Sequence, residues 1–78
     1  MILLDINNFE FEIKKHAFDQ ALKRKIDPDY IESTLKGGRI KRFSKHNLKF
    51  IKKFNKFTVI CVGEIKGTRI KILTIYKK

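Results

Sequence analysis

The chain has 78 residues, which is the size of one domain with a small core. Its hydrophobic content of 42% excludes intrinsic disorder, and no apolar run approaches the roughly 20 residues that span a bilayer. The single cysteine excludes an intrachain disulfide, while the formal net charge of +11 favours an anionic partner.

The first third of the chain predicts one strand and one helix. Residues 9–13 alternate apolar and charged side chains, which is the period of a half-buried strand, and Asn7-Asn8 before them predicts a turn. From about residue 15 to residue 25 the apolar side chains recur with helical spacing. The buried stripe of this helix is expected to contain Ala17, Phe18, Ala21 and Leu22.

A second helix is predicted to begin at Asp27-Pro28, because Asp is a favourable N-cap and Pro fits the first helical position. Its end is expected at Gly37 or Gly38, since glycine readily adopts the left-handed conformation that often follows a helix. Its buried stripe is expected to contain Tyr30, Ile31, Thr34 and Leu35.

The rest of the chain predicts four strands. They are expected at residues 39–44, 48–54, 57–65 and 69–76, with tight turns at Asn55-Lys56 and Lys66-Gly67. The strand over 57–65 is nearly all apolar, which predicts a central strand covered on both faces. In the last strand, alternation is expected to separate two sets, Ile70, Ile72 and Tyr76 against Arg69, Lys71, Leu73 and Ile75.

These elements predict a single α+β domain over residues 1–78. Two N-terminal helices would pack on one face of a twisted antiparallel sheet, in the order β-α-α-β-β-β-β. The other face would stay open, so the function depends on which cations reach it. Cys61 lies in an apolar stretch and is expected to be buried and unreactive.

Positive charge is concentrated in the second half of the chain. Residues 1–35 carry five Lys or Arg and seven acids, a net charge of −2, whereas residues 36–78 carry fourteen Lys or Arg and one acid, a net charge of +13. This asymmetry favours a surface that binds a polyanion or an acidic protein. The alternative is a lysine-rich composition that serves every solvated face, as in thermophilic proteins.

Several short motifs resemble those of a known family. They are His16-Ala17 followed by Arg24 and Ile26, the helix end at Leu35 and Gly37, Phe57-Thr58-Val59-Ile60, and Leu73-Thr74-Ile75-Tyr76. In this order they resemble a group of short bacterial and archaeal proteins with a domain of unknown function, which is grouped with the RelE/ParE superfamily of toxins from toxin–antitoxin pairs. The resemblance covers roughly residues 9–78. This chain departs from the pattern at Gln20 and Lys25, where many members carry Arg and Gly.

The resemblance implies a RelE-like fold and a toxin-type module that binds RNA, including RNA on the ribosome, and that an acidic antitoxin neutralises. It also implies a metal-independent endoribonuclease as one activity. Such cleavage needs a base for the 2′-hydroxyl, cations for the phosphorane and an acid for the leaving 5′-oxygen. The candidates are His16, Arg69 and Tyr76, with a structural hydrogen bond as the alternative for His16 and core packing for Tyr76.

The basic strands supply the candidate nucleic-acid-binding residues. If the strands are neighbours, Arg39 and Lys41 would form one cationic patch with Arg69 and Lys71. The full set of candidates is Arg39, Lys41, Arg42, Lys49, Lys52, Lys53, Arg69 and Lys71. Three phenylalanines would stack on bases if exposed and would belong to the core if not, namely Phe43, Phe50 and Phe54.

Three interpretations stay open. The first is the RNA-binding toxin module. The second is a nucleic-acid- or protein-binding domain without catalysis, because the chain lacks a clear acid–base pair and the C-terminal helix of RelE-type ribonucleases. The third is a protein-interaction domain whose edge strand pairs with a partner. Each is expected to act in the cytoplasm as a monomer or weak dimer, without a membrane, metal or cofactor.

Overall fold

The computed structural model describes residues 10–78, so the predicted turn at Asn7-Asn8 and the predicted strand position of Phe9 lie outside the described residues. The elements in chain order are β1 (Glu10–Ile13), α1 (Lys15–Lys23), α2 (Pro28–Gly37), β2 (Arg39–Arg42), β3 (Asn47–Lys53), β4 (Thr58–Lys66) and β5 (Arg69–Lys77). This order confirms the predicted α+β architecture. Neither helix in this part of the chain has the length and apolar character needed to cross a membrane.

The five strands form one sheet in the spatial order β1-β5-β4-β3-β2. The pairs β2–β3, β3–β4 and β4–β5 are antiparallel, as predicted, whereas β1 lies parallel to β5, so the sheet is mixed and the predicted fully antiparallel sheet is wrong for β1. No hairpin joins β1 to β5, so no tight turn forces these two strands to run in opposite directions. Because β3 and β4 separate β2 from β5, the cations of β2 and β5 are not neighbours, contrary to the single patch considered above.

The two helices pack on one side of the sheet and bury a small apolar core. α1 contacts β5, and α2 contacts β3 and β4. The core residues come from both layers and are Ala17, Ala21, Ile26, Ile31, Leu35, Leu48, Phe50, Val59, Cys61, Ile70, Ile72 and Ile75. Leu22 is 50% exposed and Tyr30 is 38% exposed, so both predicted buried stripes were too wide. Leu22 directly follows the buried Ala21, and Tyr30 directly precedes the buried Ile31, so both side chains are rotated away from the helix face that contacts the sheet.

α1 ends in a hydrogen-bonded cap that turns the chain into α2. Arg24 is the C-cap, and Lys25 after it has a positive φ of 59°. The Lys25 N–H donates to the Leu22 carbonyl at 3.0 Å, and the Ile26 N–H donates to the Ala21 carbonyl at 2.8 Å. This pair of bonds is the Schellman pattern, which satisfies carbonyl groups that the end of a helix leaves free.

α2 begins as its sequence predicts. The Asp27 carboxylate accepts a hydrogen bond from the Asp29 N–H at 3.4 Å, and Pro28 occupies the first helical position. The buried Thr34 hydroxyl donates to the Tyr30 carbonyl at 2.7 Å, so this polar group is satisfied within the helix.

A β-bulge changes which side chains of β5 face the core. The register between β4 and β5 shifts at Val62 and Gly63, which leaves Leu73 as an extra residue. Ile75 is therefore buried in the core, and Tyr76 lies on the opposite side of the sheet. The predicted sides of Ile75 and Tyr76 are wrong, because one inserted residue shifts the alternation of the strand by one position.

Candidate nucleic-acid interface

The side of the sheet that carries no helix is here called the open face. Its side chains alternate with the core residues along each strand. Ile60 and Val62 of β4 lie on this side, so the predicted cover on both faces of that strand is wrong. Ile60 is nevertheless only 3% exposed, since its register partners Ile51 and Tyr76 flank it.

Cross-strand pairing arranges the open face in rows that run across the sheet. The central row contains Arg39, Ile51, Ile60 and Tyr76. The row on one side contains Lys41, Lys49, Val62 and Thr74, and the row on the other side contains Lys53, Thr58 and Lys78. A largely apolar row thus lies between two rows that carry lysines.

These rows form a cavity of about 320 Å³, here called the lysine cleft. Its lining residues are Lys41, Phe43, Lys49, Ile51, Thr58, Ile60, Tyr76 and Lys78. Phe43 is 50% exposed, and the Lys49 Nζ lies 5.3 Å from the centroid of its ring, within cation–π range. The lysine cleft therefore combines an exposed aromatic ring, an apolar floor and several amino groups.

One end of the open face, here called the cationic end, carries unbalanced positive charge. It consists of Arg39, Lys41, Lys49, Lys53 and Lys78. Among residues 10–78, none of these five side chains takes part in an ion pair. Their summed field attracts anions to this part of the surface.

The other end of the open face, here called the balanced end, holds equal numbers of acids and cations. Its members are Glu10, Glu12, Glu64, Lys66, Arg69 and Lys71. The Arg69 guanidinium lies 3.7 Å from the Glu10 carboxylate and 3.9 Å from that of Glu12. The Lys71 Nζ lies 3.9 Å from Glu12. The predicted binding residues Arg69 and Lys71 are thus on the open face but in ion pairs, away from the cationic end.

Two further predicted binding residues lie on the helix side of the sheet. The Lys52 Nζ donates to the Ser33 Oγ at 2.7 Å and lies 5.7 Å from the centroid of the Phe54 ring. The Arg42 guanidinium donates to the Lys45 carbonyl oxygen at 2.6 Å. Strand alternation turns both cations away from the open face, which removes them from the predicted binding surface.

The predicted catalytic residues His16, Arg69 and Tyr76 are not brought together. His16 is exposed on α1, with its Nε2 3.0 Å from the Gln20 Nε2. Arg69 begins β5 and Tyr76 lies near its end, and their partners Lys66 and Ile60 are six residues apart on β4, so the two are about 20 Å apart along the strand. A general base, a cation and an acid must reach one substrate group, and these three side chains do not meet that condition.

Of the three phenylalanines predicted as stacking residues, only Phe43 is exposed. Phe50 is fully buried in the core. Phe54 packs edge-on against Tyr30 and Phe57, with ring centroids 4.8 and 5.7 Å away. The geometry therefore leaves Phe43 as the aromatic side chain of this set that a ligand can reach.

Cys61 is fully buried, as predicted, and burial raises the pKa of its thiol to about 12. It is therefore a protonated thiol at neutral pH and a poor nucleophile.

The described residues contain no group of three or more His, Cys, Asp or Glu side chains that could hold a metal ion.

Part of the lysine cleft was not predicted from the sequence. Four of its residues were not candidate site residues, namely Ile51, Thr58, Ile60 and Lys78, and Tyr76 was expected on the core side. Counting alternate positions back from Val62 puts Thr58 and Ile60 on one side, so strand period was a usable signal for these two. No local signal identifies Lys78, because its position depends on backbone pairing with Thr58.

Comparisons of the chain with family models, with curated proteins and with solved structures give no match. The resemblance to the RelE/ParE superfamily therefore stays a prediction. A proposal about the function must therefore depend mainly on the geometry and charge of the open face.

Proposed function

We propose that the protein binds RNA through the cationic end of the open face. The observation that carries this proposal is the group of five cations on an uncovered sheet surface, with no acid paired to them among the described residues. RNA presents a regular line of phosphate charges, and the release of its condensed counterions drives association with such a surface.

The pairing of Lys41 with Lys49 supports a polyanionic ligand. These two residues are direct cross-strand partners on β2 and β3. Like charges directly opposite each other destabilise a sheet, and a phosphate group between them would turn this repulsion into attraction. A folded domain that keeps such a pair on an uncovered face therefore has a surface suited to an anion.

The kind of cation indicates how the RNA is recognised. Four of the five members of the cationic end are lysines, with Arg39 as the exception. A lysine ammonium acts as a point charge on phosphate, and phosphate contacts position a nucleic acid without reporting its sequence. Binding is therefore expected to depend on charge and strand form more than on base sequence.

Binding without cleavage is the interpretation that the geometry favours. His16 lies on the helix side and Tyr76 on the open face, so the two candidate proton-transfer groups do not share a site. Ribonuclease activity and a toxin-type role on the ribosome are supported by the family resemblance alone. An acidic antitoxin segment would compete with RNA for the cationic end.

The test is RNA binding measured by fluorescence anisotropy at low salt. We expect the double variant Lys41→Gln/Lys49→Gln to bind a labelled single-stranded RNA about tenfold more weakly than the parent protein. The matched control is Lys15→Gln/Lys23→Gln, which removes the same charge from exposed positions of α1 on the helix side. This control should retain most of the affinity.

Equal losses in the two double variants would contradict the proposal, because they would show that net charge alone sets the affinity.

A polyglutamate peptide, used in place of RNA, tests whether the cationic end binds an acidic protein instead. Binding of this peptide with no binding of RNA would favour the protein-interaction interpretation. RNA that remains intact after prolonged incubation with the parent protein is expected for binding without cleavage.

A further inference from the structure

Phe43 is an exposed aromatic side chain in strongly cationic surroundings. It follows β2 and is as exposed as any large hydrophobic residue in the described part of the chain, at 50%. Lys49 lies 5.3 Å from the centroid of its ring, and Lys41 is two residues before it on the same side. An aromatic ring in contact with water is unfavourable, so a ligand that covers the Phe43 ring binds more tightly because apolar surface is removed from water.

The lysine cleft beside Phe43 has the dimensions and the chemistry of a small-ligand site. Its volume of about 320 Å³ is at the lower end of the range of roughly 300–1,000 Å³ that small-molecule sites occupy. Ile51, Ile60 and Tyr76 supply an apolar and aromatic lining, and Thr58 adds a hydroxyl group. A planar, partly apolar group with neighbouring negative charge fits this combination.

We propose that the lysine cleft holds one unpaired nucleotide of the bound RNA, with its base against Phe43 and its flanking phosphates near Lys41, Lys49 and Lys78. This inference rests on the proposed function and makes its ligand more specific. A base inside a duplex is stacked on its neighbours and cannot offer its flat face to a side chain, whereas an unpaired base can. The protein should therefore prefer single-stranded RNA to double-stranded RNA.

The experiment compares a short labelled oligouridine with an A-form RNA duplex of the same length, at one salt concentration. For the parent protein we expect the single strand to bind about fivefold or more tightly, in line with the contribution of one stacked base. Phe43→Ala should remove this preference, and Phe43→Tyr should restore it. Phe43→Leu should not restore it, because leucine keeps an apolar side chain but has no aromatic face.

Leu22→Ala is the matched control, since Leu22 is also 50% exposed but lies on α1, on the other side of the sheet. It should leave the preference for the single strand unchanged. Thermal unfolding of each variant identifies any effect that arises from loss of the fold. Equal melting temperatures of Phe43→Ala and the parent would assign the lost preference to the missing ring.

The outcomes separate this inference from the proposed function. RNA binding that is equal for single strand and duplex, and unchanged in Phe43→Ala, would overturn the nucleotide subsite while the cationic end remained an RNA-binding surface. Absence of binding to either RNA would overturn both proposals. A single-strand preference that Phe43→Ala removes and Leu22→Ala retains would support the subsite.

Discussion

Lys25 is the non-glycine residue with a positive φ in the described part of the chain, at 59°. This left-handed conformation places the Cβ atom too close to the neighbouring carbonyl oxygen and costs about 1–2 kcal/mol for an L-residue. Burial of Ile26 offsets this cost, because the turn that follows α1 brings its side chain into the core, where it is 1% exposed. The side chain of Arg24 also fixes this junction, since its Nη1 donates to the Ile75 carbonyl at 2.7 Å.

Lys25→Gly is therefore expected to stabilise the protein by about 0.5–1 kcal/mol, because glycine adopts this conformation without the steric cost. Urea unfolding followed by circular dichroism measures the change in the free energy of unfolding. Lys23→Gly is the matched control, as it makes the same change in the last turn of α1 and should destabilise by up to about 1 kcal/mol. Destabilisation in both variants would show that the left-handed geometry at Lys25 is not a source of strain.

The junction between α2 and β2 depends on a close backbone approach at Gly38. A Cβ atom at this position would meet the Thr34 carbonyl oxygen and would lie 2.9 Å from the Ile51 carbonyl oxygen. Both atoms belong to the backbone, so neither can move aside without a shift of α2 or β3. This contact fixes where α2 ends and where β2 joins the sheet.

Gly38→Ala is expected to destabilise the protein by about 1–3 kcal/mol through this overlap. The adjacent Gly37 offers a sharp control, since a Cβ atom there meets only the Lys52 Nζ at 3.5 Å. Gly37→Ala should be neutral or stabilising by up to about 1 kcal/mol, because alanine favours the helix. Denaturant midpoints of the two variants that moved in the same direction would refute the close-approach explanation.

The elements of this fold were predictable from the sequence to different extents. The cap at Asp27 and Pro28 was predictable because it depends only on adjacent residues. The side on which Tyr76 lies was not, because the bulge at Leu73 depends on how β5 pairs with β4. The direction of β1 likewise depends on pairing with a strand that is distant in sequence.

On the scale of the whole molecule, folding redistributes the charge that the sequence separates into two halves. Glu10 and Glu12 come from the N-terminal part, but β1 pairs with β5 and places them beside Arg69 and Lys71. The open face therefore has a balanced end and a cationic end. The sequence could predict a basic surface, but not its limits, because those follow from the strand order of the sheet.

The salt dependence of RNA binding tests most directly whether the cationic end contacts phosphates. The logarithm of the binding constant should fall linearly with the logarithm of the salt concentration, by about 0.7 for each phosphate of a single strand that is neutralised. The slope for Lys41→Gln/Lys49→Gln should be shallower than that of the parent by about 1.4, because two such contacts are removed. The slope for Lys15→Gln/Lys23→Gln should equal that of the parent. A parent slope near zero, or the same slope in all three proteins, would contradict an RNA-binding cationic end.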